Sequence, residues 1–183
     1  MEPPRPRGGP GYGRDMSRAE KFEEEKRRIV ESCFNKKDTD GSIIETYITH
    51  IRITEYGSHP TSPPPPESRR ESEKPRVIIV SVRKSGRVRM HKSKENANGS
   101  FSIGKTWDLN DLTAIESFTA STVEPQQRQW AGDTGFIVNI GKPYYWQAQA
   151  DKEKKFFIAS LIKIYGKYTG GGQPELKGPA ASL

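Results

Sequence analysis

Residues Gly99 to Thr106 read GSFSIGKT and match the phosphate-binding pattern G-x-x-x-x-G-K-[ST] at every fixed position. That pattern binds nucleotide when a buried strand leads into the loop and a helix follows, so that backbone N–H groups face phosphate. The context here argues against it. The preceding KSKENAN is polar, and Phe101 and Ile103 alternate with Ser100 and Ser102, which is the period of a strand. No later apolar strand ends in an aspartate suited to Mg²⁺. A hairpin followed by a strand is the expected structure, and the chain is not expected to be an enzyme.

Other motifs fail on spacing. Asp38-Thr39-Asp40-Gly41 hints at a calcium loop, but Lys36 would stand at its first ligand position and Tyr47 at its twelfth. His50, His59 and His91 show no metal spacing, and Cys33 has no second thiol. No catalytic residue, metal site or cofactor is expected. Asn98-Gly99-Ser100 has the form of a glycosylation acceptor, but nothing in the sequence routes it to the secretory lumen.

The stronger chemistry is cationic. The 183 residues carry a formal net charge of +7. Lys74, Arg76, Arg83, Lys84, Arg87, Arg89, Lys92, Lys94 and Lys105 fall within one short stretch. A charge run is usually a solvated face, but an anionic partner fits too: lipid head groups, nucleic acid or an acidic protein. Topology separates these cations. In an up-and-down sheet, the start of one strand, the end of the next and the start of the third share a rim. Arg76, Lys92, Lys94 and Lys105 meet there, while Arg83, Lys84 and Arg87 lie at the opposite rim.

The elements that must position them follow from period and punctuation. Residues 1–16 are rich in Pro, Gly and Arg and read as a disordered tail. Ser17 with Glu20 makes a capping box for an amphipathic helix over 17–36, with Phe22, Ile29, Cys33 and Phe34 on its apolar face. A main domain is expected over 40–169. Its first strand runs from Ile43 to about Tyr56. Residues 57–73 contain four consecutive prolines and form an exposed loop. PRVIIVSVRK and RVRMHKSK are strands around a Ser85-Gly86 turn, and Asn98-Gly99 turns into a third. Further strands are expected at Thr113–Thr119, Phe136–Ile140 and Tyr144–Ala148. Asp151 can cap a final helix with Phe157, Leu161, Ile164 and Tyr168 on one face, stopped by Gly170-Gly171-Gly172. Residues 170–183 read as linker. The fold class is mainly β (α+β): a barrel of about seven antiparallel strands capped by a C-terminal helix. Val77-Ile78-Ile79-Val80 is apolar on both faces, so the N-terminal helix is expected to cover its outer face. The barrel covered is either its own or a partner's in a swapped homodimer. No apolar run reaches the roughly 20 residues that span a bilayer, and the N-terminus lacks the apolar core of a signal peptide, so membrane contact is expected to be peripheral.

ETYITHIRITEY, KPRVIIVSVRKSGRVRMHKSKENANGSFSIGKTWDLNDLTAIES and GFIVNIGKPYYWQAQADKEKKFFIASLIKIYGKYTGG resemble, in order, the N-terminal domain of the fungal Sec-three subunit of the exocyst. The resemblance runs from about Ser17 to Gly171. It implies a cryptic pleckstrin-homology fold that binds phosphatidylinositol 4,5-bisphosphate, a Rho-family GTPase and the plasma-membrane t-SNARE. It further implies association with other exocyst subunits and a cytoplasmic location, peripheral at the inner face of the plasma membrane where secretory vesicles are tethered. Carried over by position, the lipid site falls on Arg76, Lys94 and Lys105. Lys74 and Lys92 flank it, and Lys142 stands in the loop that often forms a third wall. One departure is in the final helix, where members ordinarily carry Trp and this chain has Phe156 and Phe157. The rivals are a protein-interaction domain with little lipid specificity and a nucleic-acid binder. A nucleic-acid binder would want exposed aromatics on a sheet face, whereas most aromatics here fall at positions that look buried.

Overall fold

The computed structural model describes residues 16–57, 59–64, 72–118 and 131–177. The N-terminal tail through residue 15, residues 58 and 65–71 of the Pro-rich loop, residues 119–130 (with Thr119, expected to end a strand) and residues 178–183 lie outside the described residues.

The N-terminal helix α1 (Arg18–Cys33) begins as its sequence dictates. The Ser17 side chain accepts from the Glu20 N–H at 3.1 Å, and the Glu20 carboxylate accepts from the Ser17 N–H at 2.8 Å. Among the described residues eight strands follow: β1 (Glu45–Tyr56), β2 (Glu73–Arg83), β3 (Val88–Glu95), β4 (Phe101–Asp108), β5 (Leu112–Ser117), β6 (Gly135–Ile140), β7 (Lys142–Ala148) and β8 (Glu175–Lys177). Helix α2 (Asp151–Tyr168) lies between the last two. Gly86 and Gly99 have φ of 92° and 88°, the left-handed conformation that tight hairpin turns require and that glycine adopts without strain.

The strands form one sheet in the order β4-β3-β2-β1-β7-β6-β5-β8. β1 and β7 join through only two residue pairs, Ile53 with Ala148 and Thr54 with Gln147. The sheet therefore turns a corner there, and its two halves close over one core. Ile51, Ile53, Ile78, Val80 and Met90 meet Phe136, Val138 and Trp146 inside it. Phe157, Ile158, Leu161 and Ile164 of α2 plug one end.

Two expectations need correction. Residues 175–177, read as linker, add an eighth strand that pairs in parallel with β5. Three residues are too few to show a strand period in sequence. Asp151 is not the cap of α2. Ala150 holds that position, and Asp151 is the first helical residue, its carboxylate paired with Lys155 at 3.0 Å.

α1 packs on its own barrel, and it explains why β2 is apolar on both faces. Ile78 and Val80 point into the main core, whereas Val77 and Ile79 pack with Ile29 of α1, with its C-cap Phe34 and with Phe101. Burying Ile29 and Phe34 contributes about 1.5–3 kcal/mol each. Phe22 stacks on His50 with ring centroids 4.3 Å apart. A polar layer surrounds this seam: Glu25 contacts His50 and Arg52, and Arg52 also reaches Glu95. Burial opposes charge on Glu25 and Glu95, but hydrogen bonds from these partners hold both carboxyls below their usual range.

A second polar device closes the far half. Lys154 of α2 is fully buried, and its ammonium donates to the carbonyls of Phe118, Asp133 and Gly135. Those carbonyls stand on both sides of the connection between β5 and β6. Burial pushes the Lys154 ammonium below its ordinary value, against the pull of Asp151.

Candidate functional site

Alternation along the strands decides which way each cation points. Side chains two apart share a face. Lys74 and Arg76 therefore share the face of Ile78 and Val80, and Lys92 and Lys94 share that of Val88 and Met90. Lys105 shares the face of Trp107, and Lys142 that of Tyr144 and Trp146. All are continuations of the core face, past the last apolar layer. The registers bring them together at one end: Lys92 pairs directly with Lys105, Lys94 with Ser102, Arg76 with Ile53 and Lys74 with Glu55.

Ring contacts fix the centre of this rim. The Lys92 and Lys142 ammonium groups lie 5.6 Å and 5.9 Å from the centroid of the Tyr144 ring. Lys105 lies 5.7 Å from the Trp107 ring centroid, and the Trp107 and Tyr144 rings are 5.1 Å apart. Three lysines from three strands thus stand over one aromatic floor. The floor holds them near one another without neutralising them, because a ring attracts a cation through its quadrupole alone.

Pairing distinguishes the members. Lys92 is largely enclosed, and it donates to Glu55 Oε1 at 2.6 Å. The other Glu55 oxygen accepts from the Trp146 indole N–H at 2.8 Å. Arg76 is half-buried and donates to the Pro75 carbonyl at 2.7 Å. Among the described residues, no carboxylate pairs with Lys74, Arg76, Lys94, Lys105 or Lys142, and all but Arg76 are exposed. Five cations without a carboxylate partner among the described residues, two of them over the aromatic floor, can receive a polyanion of several phosphates. No group of three metal-ligating side chains occurs among the described residues.

The P-loop match resolves into a different structure. Gly99 closes a hairpin, and Phe101–Asp108 is the extended edge strand β4, with a register shift beside Lys105. A helix would have to stand where that strand runs.

Sequence reasoning missed two members. Glu55 is the floor carboxylate. Its signal was available, since Ile51, Ile53 and Glu55 share one face and a carboxylate there breaks an apolar alternation. Arg28 reaches the hairpin between β3 and β4 from α1, and no local pattern marks it.

A corner-turned antiparallel sheet, plugged by a C-terminal helix and open at a cationic rim, defines the pleckstrin-homology class. Residues 71–167, more than half of the chain, match the family model described as exocyst complex component SEC3 N-terminal PIP2 binding PH. The chain belongs to that family, which is a lipid-binding class rather than an enzyme class. No curated protein matches it.

Proposed function

We propose that the chain is the membrane-reading module of an exocyst subunit, binding phosphatidylinositol 4,5-bisphosphate through Arg76, Lys94 and Lys105, with Lys74, Lys92 and Lys142 as the surrounding wall. The observation that carries this reading is a rim of cations from four strands, five of which have no carboxylate partner among the described residues, with Lys92, Lys105 and Lys142 over one aromatic floor. Each cation near an anionic surface is worth about 1 kcal/mol, so the five unpaired ones give roughly 5 kcal/mol. That supports reversible, salt-sensitive attachment. Among the described residues no helix is long and apolar enough to cross a membrane, in keeping with peripheral contact. The cytoplasmic leaflet of the plasma membrane at sites of exocytosis is the surface this chemistry fits.

A protein-docking role alongside lipid binding is favoured by a separate feature. A groove of about 590 Å³ runs between α1 and the start of α2, lined by Phe22, His50, Ile51 and Phe156. Phe156 is 61% exposed there. It offers apolar area to a Rho-family GTPase, a t-SNARE or another exocyst subunit. An α1-swapped homodimer would preserve the same α1 contacts between copies, and sedimentation at two concentrations distinguishes it, since only a swapped dimer dissociates on dilution. Nucleic acid is disfavoured because Trp107, Tyr144 and Trp146 are buried and offer no stacking platform.

Flotation with vesicles tests the lipid reading. Phosphatidylcholine vesicles containing a few per cent phosphatidylinositol 4,5-bisphosphate should carry the protein upward, and pure phosphatidylcholine should not. Equal flotation with both overturns it.

A further inference from the structure

The hairpin between β3 and β4 carries two of the proposed lipid contacts, Lys94 on one arm and Lys105 on the other. Its own hydrogen bonds close the turn, with the Asn96 N–H on the Ser100 carbonyl at 2.8 Å. They do not hold it against the barrel. β3 is laddered to β2 as far as Ser93, and beyond that pair α1 holds the hairpin. Arg28 Nη1 donates to Glu95 Oε2 at 2.6 Å and to the Gly99 carbonyl at 2.9 Å. Its guanidinium lies 5.3 Å from the Phe101 ring centroid. Behind it, Nε donates to Glu24 Oε1 at 2.9 Å, which braces the side chain from its own helix.

One turn further along α1, the Ser32 hydroxyl accepts from the Phe101 N–H at 3.0 Å. Arg52 of β1 takes the second Glu95 oxygen at 2.6 Å. The last residue of β3 and the first residue of β4 are therefore both held by α1, and the turn between them is held at Gly99. The Arg28 side chain is only 21% exposed, and its planar fork spends separate N–H groups on separate acceptors. None of these groups points at the cationic face. Glu95 and Phe101 lie on the α1 side of the sheet, whereas Lys94 and Lys105 lie on the core side.

We propose that α1, acting through Arg28, is a positioning element of the anion site: it sets the β3–β4 wall, and lipid affinity depends on a helix that makes no lipid contact. The proposal rests on the lipid reading above. Its physical content is that the end of the hairpin beyond the last β2–β3 pair, Val77 with Ser93, samples several positions once α1 no longer holds it. A site of converging cations loses affinity when one wall moves. A partner that draws α1 off the barrel would weaken lipid binding by the same route.

The test uses the whole chain and phosphatidylcholine vesicles with phosphatidylinositol 4,5-bisphosphate. Arg28→Ala should weaken binding about tenfold, below the roughly thirtyfold ceiling for losing Lys94 and Lys105 outright. Amide exchange at Phe101 should speed up, and preference over phosphatidylinositol 4-phosphate should fall. Arg28→Lys should recover part of both. Ile29→Ala is the control for simple destabilisation, since it thins the apolar seat of α1 but keeps Arg28. It should lower the melting temperature while affinity and preference stay within about twofold, because two-state unfolding leaves the folded fraction intact. Lys105→Ala reports on the lipid reading itself. If Lys105→Ala weakens binding and Arg28→Ala does not, the positioning role is overturned and the lipid reading stands. If the unmodified chain ignores the phosphoinositide, both fall. Should Arg28→Ala fail to fold, Arg28→Lys decides: unchanged affinity, preference and Phe101 exchange overturn the proposal.

Discussion

The two ends of the barrel carry similar numbers of cations and treat them in opposite ways. At the end bearing the β2–β3 turn, the four cations of that hairpin are all paired. Arg83 and Arg89 reach Glu45, Lys84 reaches Asp38 and Asp40, and Arg87 reaches Asp108. At the other end, among the described residues, Lys92 alone of the six meets a carboxylate. Composition cannot tell the two ends apart, since both are basic in sequence. The placement of acids tells them apart. A paired cation has already satisfied its nearest anion, and displacing that anion costs what a new ligand would contribute. An unpaired cation keeps its full attraction for a ligand.

The sharpest way to break this contrast is to remove the acid at the paired end. Glu45 is almost enclosed, and burial alone would raise its pKa. Hydrogen bonds from Arg89, Ser81 and His91 overcome that and bring it down to about 2. A carboxyl depressed in the folded state stabilises at pH above its unfolded value near 4.5, and that contribution is lost as pH falls toward 2. Glu45→Gln is therefore expected to lower stability at pH 7 by about 2–4 kcal/mol, because it removes the negative charge and one of the two acceptor oxygens that Arg89, Ser81 and His91 share. It should also flatten the acid limb between pH 4.5 and 2, as read by chemical denaturation at several pH values. Lipid binding by the folded variant should be unchanged. A loss of lipid affinity would show that the paired end is not merely structural.

The reciprocal experiment compares pairs of cations. Arg76→Ala with Lys94→Ala should weaken binding to phosphoinositide vesicles by about 2 kcal/mol, roughly thirtyfold. Arg83→Ala with Arg87→Ala should change it by less than about twofold, because those charges are already compensated. Titration against vesicles in low salt measures both. Similar losses from the two pairs would mean that charge acts diffusely and that the rim has no special geometry.

How much of this contrast was legible beforehand differs by level. The capping box, both hairpin glycines, the apolar face of α1 and the double-sided β2 each followed from short-range chemistry, and short-range patterns survive folding. The grouping of Arg76, Lys92, Lys94 and Lys105 followed from strand order alone. What was hidden is contact at long separation. Glu45 meets residues near 81, 83, 89 and 91, and Arg28 meets Glu95 and Gly99, pairings that no window of sequence contains. The buried Lys154 was hidden for another reason. On a helical wheel it is one lysine among several, and only the carbonyls of the β5–β6 connection distinguish it.

A smaller effect tests Lys105, the residue that the false phosphate-loop pattern singles out. Lys105→Ala should weaken vesicle binding by about 1 kcal/mol, close to fivefold. ATP and GTP with Mg²⁺ should leave the melting temperature of the unmodified chain unchanged, since nucleotide binding would raise it. A nucleotide-dependent rise that Lys105→Ala abolishes would reopen the enzyme reading.

The finest probe concerns Glu55, the one carboxylate inside the open rim. It bridges Lys92 and the Trp146 indole, so it either masks a cation or aims one. Glu55→Gln keeps the shape and leaves an amide oxygen for the indole N–H, so the aromatic floor should persist. The negative charge goes, and Lys92 becomes a further unpaired cation beside Lys105. Masking predicts that vesicle affinity rises by at most about 1 kcal/mol, the value of one cation near an anionic surface. The melting temperature should fall by a few degrees, because a mostly enclosed ammonium has lost its partner. Aiming predicts the reverse for affinity: Lys92 swings away, the three-lysine set over Tyr144 and Trp107 loses a member, and binding weakens. Paired measurement of vesicle affinity and melting temperature separates the two, since stability falls in both cases and only the sign of the affinity change differs. We expect the rise, because the unpaired state of the neighbouring cations is what sets this end of the barrel apart from the other.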